Sequence, residues 1–106
     1  MNRTFKFISS IIFLPKFRNW KYIGYMNYEE ALMHCSKNNL TLPTRFQLQE
    51  IYNSGVMQYW WKESNKAYWI NKGLSNNMAI RYDIYTNDIS ESNKQNKYHV
   101  RIDIKN

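Results

Sequence analysis

Residues 27–52 read NYEEALMHCSKNNLTLPTRFQLQEIY, and the way this stretch divides decides the fold. Asn27 is a strong N-cap, and Glu30, three residues on, is placed to reach back to the cap's own N–H. Met26 and Ala31 stand where a hydrophobic staple would join. Glu29 and Glu30 fall in the first turn, where a helix favours negative charge. Tyr28, Ala31, Leu32 and Cys35 then recur at helical spacing and give the segment one apolar face. Asn38 and Asn39 tolerate left-handed backbone and end it. Leu42 precedes Pro43 and is pushed toward extended angles, so residues 40–43 form a sharp connection. Thr44 opens a second helix, with Gln47 completing its capping box, Leu48, Ile51 and Tyr52 as its inner stripe, and Gly55 as its stop.

Around this pair the chain has β character. Residues 20–25, WKYIGY, form a candidate strand in which Gly24 marks a bulge or a close approach. Two short aromatic runs follow the helices, at residues 56–61 and 67–70, separated by a polar linker. Met78, Ile80, Tyr82 and Ile84 alternate with Ala79, Arg81, Asp83 and Tyr85, the pattern of a strand with one buried face. Tyr98, Val100, Ile102 and Ile104 alternate with His99, Arg101, Asp103 and Lys105 in the same way. Residues 86–97, TNDISESNKQNK, lack an apolar period and are expected to form a mobile polar loop. The expectation is an α+β domain of two short helices packed on a small twisted antiparallel sheet.

At 106 residues the chain suits one domain, residues 1–106, with a single core. Aromatic side chains make up 17% of it, enough apolar surface to exclude a disordered chain. The net charge of +7 favours an acidic partner, and residues 1–25 contain Arg3, Lys6, Lys16, Arg18 and Lys21 without one acid. The opening MNRTFKFISSIIFLPKF carries basic residues and then an apolar run over residues 7–14. That run is short for a signal peptide, lacks a small-x-small cleavage site, and cannot span a bilayer. Phe5 and Phe7 alternate with polar neighbours, so residues 1–18 are read as an N-terminal extension or strand. A cytoplasmic location follows, with a secreted or cell-surface one if these residues are a signal.

Cys35 is the lone cysteine, which excludes an internal disulfide and Cys/His zinc spacing and marks a small buried hydrophobe. His34 and His99 have no partner arranged to activate a nucleophile. There is no GxSxG, P-loop or glycine-rich phosphate cradle, and Glu29-Glu30 is explained by helix capping. No catalytic residue, metal site or cofactor is expected. The candidate partner-binding residues are Tyr59, Trp60, Trp61, Lys62, Tyr68, Trp69 and Arg81. Trp60 and Trp61 are adjacent and cannot both face one side of a strand. Tryptophan exposed beside Lys62, Lys66 and Arg81 suits stacking on a sugar or a base, or a protein hot spot.

Tyr28-x-x-Ala31-x-x-x-Cys35, Leu40-x-Leu42-Pro43-Thr44-x-x-x-Leu48-x-x-Ile51-Tyr52, Tyr59-Trp60, Ala67-Tyr68-Trp69 and Val100-Arg101-Ile102 occur in that order. Together they resemble the bacterial and phage C-type-lectin-like domains, the Lcl group and the C-terminal domain of intimin and invasin adhesins above all. The likeness covers about residues 20–104, making residues 19–105 the lectin-like core. It implies two helices on a small sheet, chain ends paired as neighbouring strands, and loops free for recognition. Ile102 stands where the family often has cysteine, so the family's bridge does not carry over. No EPN or WND motif is present, so calcium-dependent sugar binding does not carry over either. Two functions remain open. The first is a non-catalytic module binding a protein or glycan through loops and exposed aromatics. The second is a small basic phage or mobile-element protein that binds nucleic acid or inhibits a nucleic-acid-binding host defence complex.

Overall fold

The computed structural model describes residues 20–55 and 67–104. Among them the order is β1 (Trp20–Met26), α1 (Tyr28–Lys37), α2 (Arg45–Ser54), β2 (Ala67–Gly73), β3 (Met78–Asp83), β4 (Asp88–Asn93) and β5 (Tyr98–Asp103). Both capping boxes form. Asn27 Oδ1 accepts from Glu30 N at 2.9 Å and Glu30 Oε1 from Asn27 N at 3.0 Å. Thr44 Oγ1 accepts from Gln47 N at 3.1 Å and Gln47 Oε1 from Thr44 N at 2.8 Å. Asn39 and Gly55 take the left-handed backbone that stops each helix, at φ 56° and 84°.

The five strands form one sheet in the order β1-β5-β2-β3-β4. The first and last described strands pair antiparallel, as the family likeness implies. The sheet is mixed, not antiparallel throughout, because β2 runs parallel to β5 and meets it at Tyr68 and His99. β1 bulges as Gly24 foretells: Tyr22 faces Arg101 and Gly24 faces Val100, leaving Ile23 as the extra residue. Gly24 sits at φ 153°, where a side chain is strained, and an added Cβ would meet Met26 Cε at 3.0 Å.

The helices cover opposite faces of the sheet. Successive residues of β2 point to alternate sides. Ala67 and Trp69 share a buried cluster with Tyr28, Ala31, Cys35, Leu42, Ala79, Tyr98, Val100 and Ile102. Tyr68 and Ile70 share the other cluster with Leu48, Ile51, Ile80, Tyr82 and Ile84. Each buried large side chain contributes roughly 1.5–3 kcal/mol of transfer free energy, so this two-sided burial is the main source of stability. It also corrects the expectation of one buried face on the later strands. Ala79 on β3 and His99 on β5 are buried on the face that alternation left open.

The expected polar loop at residues 86–97 contains β4. Its sequence DISESN hides the strand because this edge position buries little: Ser92 is buried, and its hydroxyl bonds Tyr98 Oη at 2.7 Å. All six β4 residues pair with β3 in unbroken register. The expected strand at residues 56–61 and the N-terminal strand or signal lie outside the described residues. No helix among the described residues is long and apolar enough to cross a membrane.

Candidate functional site at the helix corner

The Leu42-Pro43-Thr44 corner ties the helix pair to β2 and disturbs that strand. Pro43 O accepts from Asn71 N at 2.8 Å. Between Trp69 and Gly73, β2 advances four residues while its partner β3 moves only two, from Arg81 to Ala79. Ile70, Asn71 and Lys72 therefore bow out of the ladder, and such bulges re-aim side chains beside functional sites. A cleft of ≈ 320 Å³ opens there, lined by Thr44, Arg45 and Phe46 from the first turn of α2, by Ile70, Asn71 and Lys72, and by Ile89 of β4. That size is at the lower end of the range for ligand sites. Phe46 stands at its rim, 76% exposed.

Two cations, Arg45 and Lys72, line the cleft. Arg45 Nη2 lies 3.4 Å from Asp88 Oδ1, a long contact for an ion pair with both side chains substantially exposed. Arg45 Nε is buried with no hydrogen-bond partner, a cost that a native structure leaves standing only where something else offsets it. Behind it, Tyr82 Oη donates to Asn87 Oδ1. Burial pushes the Tyr82 phenol well above its usual range; Tyr52 adds to the shift, Arg45 opposes it, and Asp83 and Asp88 reinforce it. The phenol is thus a neutral donor at any ordinary pH. This equipment is suited to binding: apolar side chains from Ile70 and Ile89, an aromatic rim and two cations. Among the described residues no group of three or more His, Cys, Asp or Glu side chains is placed to hold a metal ion.

The residues expected from the sequence divide differently. Tyr68 and Trp69 are fully buried, not displayed to a partner. β2 lies inside the sheet with a helix on each face, so neither side of its alternation over residues 67–70 reaches solvent. Trp69 Nε1 donates to Met26 O at 2.9 Å, and its ring meets Tyr28 and Tyr98 edge-on with centroids 5.2 and 4.8 Å away. Arg81 is half-buried and structurally engaged: Nη1 donates to Tyr98 Oη at 2.8 Å and Nε to Ser90 Oγ at 2.9 Å. Tyr59, Trp60, Trp61 and Lys62 lie outside the described residues. His99 is buried, with Nδ1 2.8 Å from Tyr22 Oη and its ring 5.1 Å from Tyr25. Cys35 is buried, and desolvation raises its thiol's pKa, which suppresses the thiolate.

Sequence reasoning passed over Phe46, Arg45, Lys72 and Ile89. One signal was available. Phe46 is off the Leu48, Ile51, Tyr52 stripe of α2, and an aromatic on a helix's outer face has no core to fill. The other three depend on the bulge, which no local pattern announces. No protein-family model matches the chain, and no curated protein matches it.

Proposed function

We propose that the chain is a non-catalytic binding module of the C-type-lectin-like kind that recognises a protein or glycan partner. The observation that carries this reading is Phe46, an aromatic side chain left exposed at the rim of a cleft built by the helix corner and a bulged strand. Supporting it, the first and last described strands pair as that family's chain ends do. Cys35 and Ile102, the two positions at which the family often carries a bridge, belong to one buried cluster. The sequence adds Tyr59, Trp60, Trp61 and Lys62 as candidate partner contacts, and these lie outside the described residues. The lone buried thiol supports a reducing, cytoplasmic setting.

The test compares capture of partners from host lysate, and binding to a glycan array, by the wild-type chain and Phe46→Ala. At least a tenfold loss with an unchanged thermal midpoint is expected; equal capture by both would refute the reading. The net charge of +7 favours a second reading, a nucleic-acid-binding protein. Salt separates the two. A protein making several phosphate contacts loses roughly a thousandfold or more in affinity between 50 and 200 mM salt, whereas apolar and stacking contacts change little.

A further inference from the structure

We infer that the corner cleft takes an extended peptide from a protein partner, with one carboxylate seated on Arg45 and an apolar side chain, two residues away, against Phe46, Ile70 and Ile89. This rests on the binding-module reading and adds the chemical class of the partner.

Among the described residues the cleft carries two cations, Arg45 and Lys72, and the Asp88 carboxylate lies beside Arg45. Arg45 holds Asp88 through one long contact, and its buried Nε has no acceptor. A guanidinium offers its donors as a planar fork, and a carboxylate accepting from the Nη end of the half-exposed Arg45 side chain would supply a closer pair than the long contact to Asp88. Beside the polar Thr44 and Asn71, the lining has Phe46, Ile70 and Ile89, which ask for a hydrocarbon side chain next to the acid. Residues two apart on an extended peptide project to the same side, so an acid-x-apolar triplet supplies both.

The neighbouring sheet edge favours a peptide over other polyanions or sugars. Among the described residues β4 closes the sheet on this side, contributes Ile89 to the cleft, and runs six residues without a bulge. The opposite edge, β1, is interrupted by its bulge at Ile23. A straight edge strand is a template for backbone pairing, which a peptide can use and a glycan or nucleic acid cannot. Asp88 and Glu91 on the same strand oppose a chain of phosphates and limit the peptide to an isolated acid at the Arg45 end.

A displayed library of random 12-residue peptides, panned on the immobilised full chain in physiological salt, tests this. Enrichment of Asp or Glu two residues from Leu, Ile, Val or Phe is expected. A synthetic peptide of the enriched sequence should lose at least tenfold in affinity against Arg45→Gln and against Phe46→Ala. It should lose as much when its acid becomes the amide. Both protein variants should keep the wild-type thermal midpoint, and Arg45→Lys, which keeps charge but loses the fork, should fall between. Enriched peptides without an acid, no enrichment, or indifference to Arg45→Gln would overturn the inference. Binding of a neutral glycan through the same residues would overturn it while sparing the module reading, and binding of single-stranded DNA there would overturn both. Indifference of every probe to Phe46→Ala would remove both.

Discussion

The two halves of β2 behave oppositely. Ala67, Tyr68, Trp69 and Ile70 are buried on both faces of the sheet, whereas Asn71, Lys72 and Gly73 are exposed where the strand bows toward Pro43. In the first half the polar atoms of the surrounding aromatics are paired: Trp69 Nε1 with Met26 O, and Tyr98 Oη with Arg81 and Ser92. Beside the second half a guanidinium nitrogen is buried without a partner and a phenyl ring stands in solvent. Aromatic richness therefore does not locate a binding surface in this chain. Incomplete satisfaction does.

Substitutions sharpen that contrast, beginning with the core. Leu42→Asp places an unpaired charge within the α1-side cluster and should cost more than about 4 kcal/mol, abolishing the folding transition. An unchanged thermal midpoint would contradict the core assignment. Trp69→Ala should cost about 3–5 kcal/mol in urea denaturation, the range for emptying a large aromatic site. Arg81→Met removes the guanidinium's hydrogen bonds to the Tyr98 and Ser90 hydroxyls, and a loss of about 1–2 kcal/mol is expected with partner binding intact. A loss of binding without a loss of stability would return Arg81 to the recognition surface. Phe46→Ala should move stability by no more than about 0.5 kcal/mol, because the ring is outside both clusters.

Alkaline titration probes the same division. Burial raises the pKa of Tyr28, reinforced by Glu29, and raises that of Tyr82 further. For an acid whose folded pKa is raised, the stabilisation is complete below the unfolded value near 10 and is lost as pH climbs through the folded one. Stability should hold from neutrality to about pH 10 and then decline. Absorbance should show at least two of the nine tyrosines ionising only as the domain unfolds. Tyr82→Phe should flatten part of that decline.

The helices were legible because their signals are local. Asn27 with Glu30, Thr44 with Gln47, and the stripes behind them specify start, face and stop within a few residues. Gly24 announced its bulge for the same reason. β4 was not legible: an edge strand buries too little for its sequence to acquire a period, and its pairing is stated by β3 and Tyr98. The parallel contact between β2 and β5 likewise depends on residues some thirty positions apart. Alternation assigned one face of residues 78–85 to solvent because nothing in that segment reveals a second helix above it. The same blindness put Tyr68 and Trp69 on the surface. The cleft needs Phe46, Lys72 and Ile89 from three elements, assembled by one hydrogen bond from Asn71 to Pro43.

Amide chemical-shift mapping of the isotope-labelled full chain, titrated with the peptide selected on it, decides whether the helix corner is the recognition surface. Shifts should concentrate at Thr44, Arg45, Phe46, Asn71, Lys72 and Ile89, with Trp69 and Tyr98 unmoved. Shifts centred on Tyr59, Trp60 and Trp61, or on the α1 face around Arg81, with the corner silent, would contradict it.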